Sequence, residues 1–394
     1  MPQKSLIFGA LLFLVYNLEM KTSRQTFINV HRDSWVEVNL DYLAQNIKAT
    51  KKLLKPDVKL MAVVKADAYG HGAVMTVPTM LASGVDMLGV ASIDEGLDLR
   101  SAKITCEILV LGAVPVWAFE NAGVNDIAVS IFSKEHIKAC KQAFQRTGRK
   151  IKVHIKVDTG MNRIGVPKQE AIDFIKEVQS CDFIDLQGIF SHLACAEDKQ
   201  KSLNQFKEFD KIISQTDTKG LILHILNTAG TISYPDYQYN MIRAGISLYG
   251  LMPDLSKKVN NSSFPKLFPV MSLKGRITHI HKMGVNEGIS YGHTFFADKE
   301  IKVATIPIGY ADGVPRTLSN KIYGEIQEGK IKQIGNITMD QMMFDITGVN
   351  VQEGEVIELL NKNLLIDEWA KIAGTINYEL TCRLKVRLPR VYTR

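Results

Sequence analysis

The stretch LMAVVKADAYGHG, residues 60–72, brings one lysine to the end of an apolar run and turns sharply behind it. Leu60 to Val64 read as a buried strand, and Lys65 closes it. Tyr69, Gly70, His71 and Gly72 follow at once as a tight turn. An ammonium at the end of a buried strand is partly desolvated, which disfavours its charged form and lowers its pKa. A lysine of that kind can condense with an aldehyde to a Schiff base. A bare lysine after an apolar run would more simply reach solvent. The string Ala62 to Gly72 as a whole is far more specific than that.

Other chemically able groups follow other apolar runs. Lys156, Asp158 and Arg163 lie in KVDTGMNRIG, Ser191 and His192 come after the next run, then Asn227 and Thr228, then Arg243 and Gly245. Taken singly, Asn227-Thr228 could cap a helix and His192 could be a satisfied core histidine. Their recurrence at one end of successive runs is harder to dismiss.

The positioning elements can be read from periodicity. WVEVNL (35–40) alternates like a strand, and Asp41 is placed to cap a helix reaching Leu54, with Leu43, Ile47 and Leu54 on its apolar face. Eight apolar runs follow: Leu60–Val64, Met87–Ala91, Ile108–Leu111, Ile127–Ile131, Ile151–Val157, Ile184–Phe190, Leu221–Leu226 and Tyr239–Ile246. Helical stretches such as Lys134–Gln145, Lys168–Val178 and Leu203–Ser214 lie between them. This alternation predicts an α/β chain with a (β/α)8 TIM-type barrel over residues 34–265, the strand 34–40 being free to join the next domain. The polar residues then share the C-terminal rim, where barrel enzymes keep their sites. A doubly wound sheet is the alternative, but the first strand-to-helix turn has no GxGxxG fingerprint. After Pro265 short β-like runs broken by Gly, Asn and Asp predict a mainly β C-terminal domain, 266–394: Met271–His281, Ile301–Ile306, Gln333–Ile334, Met342–Ile346 and Val356–Leu360, with only Leu365–Ile372 helical.

The chain has 394 residues, 46% hydrophobic and 23% charged, enough for two full cores of ordinary globular composition. A formal net charge of +7 without long Lys/Arg blocks argues against a nucleic-acid partner and suits anionic ligands. Five scattered cysteines with no CxxC or Cys/His spacing predict reduced thiols, no disulfide framework and no metal. Residues 1–33 read as a poorly ordered extension or a stretch upstream of a start at Met20. The apolar run Leu6–Val15 behind Lys4 is too short to span a membrane and lacks a small-x-small cleavage site. A cytoplasmic protein is expected, with export as the lesser alternative.

The motifs VVKADAYGHG (63–72), VDTGMNRIG (157–165), SHLA (191–194), NTAG (227–230), MIRAGISLYG (241–250), SYGHTF (290–295), IPIGYADG (306–313), ITMDQ (337–341) and TINYEL (375–380) together carry a resemblance. From about Ser34 to Arg394 the chain resembles alanine racemases, barrel enzymes of fold type III that depend on pyridoxal 5'-phosphate (PLP). The resemblance implies interconversion of L-alanine and D-alanine, with D-alanine supplied for cell-wall peptidoglycan. It implies that Lys65 carries PLP as an internal aldimine and, once the substrate amine displaces it to an external aldimine, moves a proton at Cα. Tyr69, His192, Asn227, Thr228, Arg243, Gly245, Ile246 and Tyr378 would surround the cofactor. Arg243 would face the pyridine nitrogen; lacking an acceptor, it would bond that nitrogen without protonating it, which weakens the electron sink and suppresses side reactions.

By the same resemblance Tyr291 is the opposite-face base, supplied by the other subunit of a homodimer with shared active sites. Phenols ordinarily titrate near ~10, and contact with His192, itself against Arg243, would assist it. Arg163 and the backbone N–H of Met339 would hold the substrate carboxylate, since an arginine fork matches two oxygens. Lys156 matches a lysine that is often carbamylated. Thr338 stands where Cys or Ser is common, and Asn336 where an arginine often lines the substrate entrance, so substrate range stays open. A broad-specificity or serine racemase is the alternative, and a related PLP barrel decarboxylase a more distant one, its Cys-containing motif and Gly-rich phosphate loop being absent.

Overall fold

Alternation in the segment after Asp33 produces β1 (Ser34–Asn39), whose valines face inward. Asn39 ends it and starts α1 (Leu40–Lys51), its carboxamide oxygen accepting from the Tyr42 N–H at 2.7 Å. The expected cap Asp41 instead sits inside the first turn. Asn39 wins the role because its backbone is extended (φ −87°, ψ 108°), as a cap residue must be. The computed structural model describes residues 32–253 and 265–394. The readings made for the N-terminal extension, including the run 6–15 and Met20, fall almost wholly outside the described residues.

The barrel strands are β2 (Lys59–Val63), β3 (Met87–Val90), β4 (Glu107–Val110), β5 (Ala128–Ile131), β6 (Ile151–Asp158), β8 (Ile184–Phe190), β9 (Ile222–His224) and β10 (Met241–Ala244), with β7 (Val166–Pro167) paired only to β6. Around them run α2 (Lys65–Tyr69), α3 (Ala73–Ala82), α4 (Ile93–Ser101), α5 (Phe119–Val124), α6 (Lys134–Thr147), α7 (Ala171–Gln179), α8 (Lys199–Ile213) and α9 (Thr228–Ser233). The parallel order is β10-β2-β3-β4-β5-β6-β8-β9. The Arg243 N–H bonds the Leu226 carbonyl at 3.0 Å and draws the two ends of that path together. Each of the eight apolar runs of the sequence contributes one strand. Inside, Met61, Met87, Leu109, Ala128 and Met241 form an apolar plug of their own, so the barrel is packed, and only its rim is left for chemistry.

The second sheet comprises β11 (Met271–Arg276), β12 (His279–Met283), β13 (Ile301–Ile306), β14 (Tyr323–Ile326), β15 (Gly329–Ile334), β16 (Met342–Asp345), β17 (Val356–Leu360) and β18 (Arg390–Thr393), and it also recruits β1. β1 lies between β11, antiparallel, and β18, parallel. This domain holds α10 (Ile366–Ala373) and also α11 (Asn377–Arg383), which corrects the expectation of a single helix there. NYELTCR has no apolar stripe of its own. Its buried residues are Asn377, Leu380 and Thr381, and Asn377 bonds the Met252 carbonyl and Asp367, so tertiary contacts hold it.

α2 is wound the wrong way. Ala66, Asp67, Ala68 and Tyr69 have φ between +52° and +54°, and Gly70 follows at +82°. Each L-residue in a left-handed turn carries roughly 1–2 kcal/mol of strain, so the surroundings must over-determine it. Glu95 on α4 accepts from the Ala66 N–H at 2.8 Å and from Ala91 at 2.7 Å. Asp67 accepts from Ala73 at 2.7 Å. His71, fully buried and stacked on Tyr249 at 4.5 Å, turns its Nδ1 to the carbonyls of Ala68 and Tyr69 at 3.0 and 3.1 Å. Gly70 is required for a second reason: a Cβ there would lie 2.4 Å from the Thr381 carbonyl oxygen of α11. The β domain thus presses directly on the turn behind Lys65.

Candidate active site

Lys65 opens α2 at the barrel rim. It is reached by solvent, yet burial of its amine pulls its pKa below the usual lysine value, helped by the nearby Arg163 charge and opposed by Cys382 and Glu95. The left-handed turn then brings Tyr69 across the rim, its ring 5.1 Å from Tyr249 and 6.0 Å from Tyr378 on α11. Burial raises the pKa of both Tyr69 and Tyr378, so both remain protonated donors at neutral pH.

The Tyr69 hydroxyl lies over Gly245, where a Cβ would come within 2.7 Å of it. The Gly245 N–H donates to Thr228 Oγ1 at 3.1 Å, and that hydroxyl lies 3.4 Å from Ser247 Oγ. Ile246 is fully buried beneath this turn. Asn227 caps α9, its side chain accepting from Gly230 at 2.8 Å, and so fixes Thr228 at the helix start. The result is a cup of hydroxyls and backbone N–H groups at the ends of β9 and β10, suited to an anion.

Arg243 is 3% exposed, and among the described residues no carboxylate pairs with it. Four neutral acceptors take its terminal nitrogens: His224 Nδ1 at 2.7 Å, Ser191 O at 2.8 Å, Ile225 O at 2.9 Å and His192 Nδ1 at 3.0 Å. Its Nε–H makes no hydrogen bond among the described residues. Burial pulls its pKa down to about 9, which leaves it charged at neutral pH. A guanidinium has no acceptor, so the protonation of its neighbours follows. His224 Nδ1 must accept and its Nε2 carries the proton. That Nε2 donates to His154 Nδ1 at 2.9 Å, which puts the His154 proton on Nε2. Both imidazoles are neutral, as burial and the Arg243 charge require: His154 falls to about 3 and His224 well below its ordinary value. His192 is held neutral in the same way, by burial and then Arg243.

Lys156 is 3% exposed, its amine over the Phe190 ring at 5.2 Å and donating to the Val157 carbonyl at 3.2 Å. Burial and then Arg243 push it down to about 7, with Asp158 opposing. The loop that carries Arg163 is organised by Asp158, whose Oδ1 accepts from Gly160, Met161 and Asn162 at 2.9, 2.9 and 3.1 Å. Arg163 itself is exposed, and its charge acts on Lys65, Lys156 and His192.

The barrel therefore gathers Lys65, Tyr69, Lys156, Arg163, His192, Asn227, Thr228, Arg243, Gly245 and Ile246 on one rim, with Tyr378 reaching in from α11. Tyr291 and Met339 stand apart. Tyr291 is 75% exposed and Met339 53%. Tyr291 borders a recess walled by His281, Ile289, Ser290, Thr338, Gln341 and their neighbours, all from the β domain. Sequence reasoning missed Glu95, His154, His224 and Ser247. The two histidines had a signal: His154 and Lys156 share one face of an alternating strand, and His224 interrupts the apolar LILHIL.

The models of the alanine racemase N-terminal domain and C-terminal domain match residues 38–253 and 270–392. An alanine racemase of Nostoc sp. is 40% identical over 91% of this chain and 95% of its own. One from Methanococcus maripaludis is 39% identical over 91% of this chain and 98% of its own. Among solved structures, an alanine racemase of Clostridium difficile 630 superimposes with a TM-score of 0.88 at 37% identity, covering 93% of this chain and 97% of that one. An alanine racemase of Bacillus anthracis with bound L-Ala-P gives 0.84 at 33% identity, over 93% and 96%.

The neutral buried histidines fix an acid dependence. An imidazole in the unfolded chain titrates near ~6.5, whereas His71, at about 4, and His154, at about 3, titrate far lower when folded. Their contribution is complete above the unfolded value and is lost as pH falls, because only the unfolded chain then takes up protons. The melting temperature should be level above about pH 7 and fall from about 6.5 to 5, before carboxylates titrate. Thermal melts across that window test this, and a level profile down to pH 5 would contradict the neutral state assigned to these histidines.

Proposed function

The chain belongs to the alanine racemase family, and from that premise we propose that it interconverts L-alanine and D-alanine with PLP as its cofactor. One observation carries the reading: a lysine of lowered pKa shares a rim with a hydroxyl-and-amide cup and with a buried guanidinium whose Nε–H is uncommitted. The residues present fit the group. The cup, open because position 245 has no Cβ, suits a phosphate. Lys65 suits an aldehyde, and the Arg243 Nε–H suits an acceptor nitrogen. Tyr69, Thr228, Gly245, Ile246 and Tyr378 would hold the phosphate, Asn227 would hold Thr228, and His192 would steady Arg243. PLP, when bound, supplies the electron sink that acidifies the substrate Cα–H.

The chain's own groups do the rest. Lys65, relieved of part of its proton affinity, moves a proton at Cα on one face. Tyr291 moves it on the other, because one base does not reach both faces of a planar centre. Arg243 stays a donor, which leaves the bonded nitrogen unprotonated and keeps the chemistry at proton exchange. Arg163 and the Met339 N–H would bind the substrate carboxylate. Lys156 at about 7 has a sizeable neutral fraction at neutral pH. Its amine can add to carbon dioxide, releasing a proton and forming a carbamate. That change replaces a cation crowded by Arg243 and Arg163 with an anion able to orient Arg163.

The exposed Tyr291, in a recess with no barrel residue, and the exposed Met339 support a homodimer in which each barrel rim is completed by the partner's β domain. Free thiols at all five cysteines suit a reducing compartment, and so a cytoplasmic enzyme. No described helix is long and apolar enough to cross a membrane.

Purified protein with PLP should racemise alanine in a chiral assay and leave serine, lysine and glutamate much slower. It should also restore growth without D-alanine to a bacterium lacking its own racemase, as a supplier of peptidoglycan would. Borohydride should fix the pyridoxyl group on Lys65; a label on another lysine sinks the assignment. Carbon-13 bicarbonate should give a carbamate resonance that disappears in Lys156→Arg. Its absence from wild type would rule the modification out. For the shared site, inactive Lys65→Ala chains mixed with inactive Tyr291→Phe chains should regain about a quarter to a half of wild-type activity, since a heterodimer holds one intact site of two. Demonstrated heterodimers without recovery would refute it.

A further inference from the structure

The Tyr291 side chain has little packing from its own chain, being 75% exposed. Its position is therefore set by backbone alone, and that backbone is strained. Ser290 has φ 63° and ψ −177°, a region that is essentially glycine's. Gly292 and His293 follow at φ +71° and +41°. Something must hold the two non-glycine departures, Ser290 and His293, that lie either side of Tyr291 and Gly292.

Asn336 is the side chain placed to do so. It is 9% exposed, and its Nδ2 donates to the Tyr291 carbonyl at 2.7 Å. Its own carbonyl accepts from Ser290 Oγ, also at 2.7 Å. The two bonds are reciprocal and flank the strained residue. Gly335 allows the approach: a Cβ there would lie 2.8 Å from Ile289 Cγ2 and 3.1 Å from Ser290 Cβ. Asn320 repeats the device beside it, accepting from the Gly335 N–H at 2.6 Å and donating to Thr294 Oγ1 at 3.0 Å.

We infer that Asn336 is the positioning residue of Tyr291, and that the Ser290–Asn336–Tyr291 clamp fixes where the phenol is presented to a substrate. This rests on the reading of Tyr291 as the base for one face. The clamp acts on one proton transfer only, so its loss is selective between enantiomers.

The test uses PLP-loaded dimer in deuterium oxide. Asn336→Asp keeps the shape but turns the donor into an acceptor facing the Tyr291 carbonyl. It should slow Cα–deuterium exchange of one alanine enantiomer about 10-fold or more, since small misplacements of a reacting group have effects of that order. Exchange of the other enantiomer should stay within about 2-fold, and both KM values should change little. Amide hydrogen exchange should rise across Ser290–Phe295 without loss of the dimer. Equal slowing of both enantiomers, or none, overturns the inference. Should Asn336→Asp fail to assemble, Ser290→Ala, which removes the other bond, must show the same selective slowing or the inference falls. A Tyr291→Phe control separates the two readings. Crippled exchange there beside a normal Asn336→Asp overturns the clamp alone, whereas normal exchange in Tyr291→Phe overturns the two-base reading as well.

Discussion

Left-handed backbone is the constraint around which the barrel rim is organised. A right-handed turn after β2 would continue the strand's exit outward, as at an ordinary βα junction. Winding Ala66 to Tyr69 the other way carries Tyr69 over Gly245 while Lys65 stays at the rim. Local bonds from Asp67 and His71 support it only in part. The turn exists because groups distant in sequence agree on it: Glu95 from α4, His71 stacked on Tyr249, and the Thr381 carbonyl of α11 pressed against Gly70. Through α11 the turn also ties the two domains together, so the position of the lysine depends on the whole chain being folded.

The buried guanidinium imposes the second order. Arg243 is satisfied by two backbone carbonyls and two imidazole nitrogens rather than by a carboxylate. A carboxylate partner would have neutralised the rim. Burial is the first reason that Lys65 and Lys156 lose proton affinity, and the unneutralised arginine charges add to it, Arg163 at Lys65 and Arg243 and Arg163 at Lys156. A site of this sign has anionic ligands as its natural complement. Burial, and then the same charge, keep His192, His224 and His154 neutral, so the donor direction runs outward from Arg243 through His224 to His154 without a choice at any step.

What could be read beforehand follows from range. The apolar runs that hold the eight barrel strands span four to eight residues, and each announces itself. The rim residues then follow from topology, because parallel strands place all their C-terminal ends together. The left-handed turn could not be read, since in ADAY only Asp67 is of a type enriched at positive φ, and the Thr381 carbonyl that closes on Gly70 lies more than 300 residues away. β14 and β18 escaped because YGEI and RVYT are too short or too polar to stand out; β14 is held by its antiparallel neighbour β15, and β18 by the edge that β1 offers. Asp41 and Asn39 are both good caps, and only the observed backbone angles decide between them. Ser247 sits in an apolar buried turn where a serine reads as filler until Thr228 is seen beside it.

The two residues proposed to move protons both adjoin strained backbone, Lys65 before a left-handed turn and Tyr291 after Ser290. Strain of this kind sharpens position. An extended residue can drift tens of degrees within a broad well, whereas the left-handed well is narrow and bounded by clashes. A side chain on the residue next to such a position is aimed by it without needing neighbours of its own. This matters most for Tyr291, whose phenol is exposed and, in the proposed shared site, would have to reach a partner's barrel rim. In both places the holding groups are short amide or carboxylate side chains, Glu95 and Asp67 in one, Asn336 and Asn320 in the other. Such groups bond backbone directly and leave the reactive side chain free, which packing against apolar neighbours could not do.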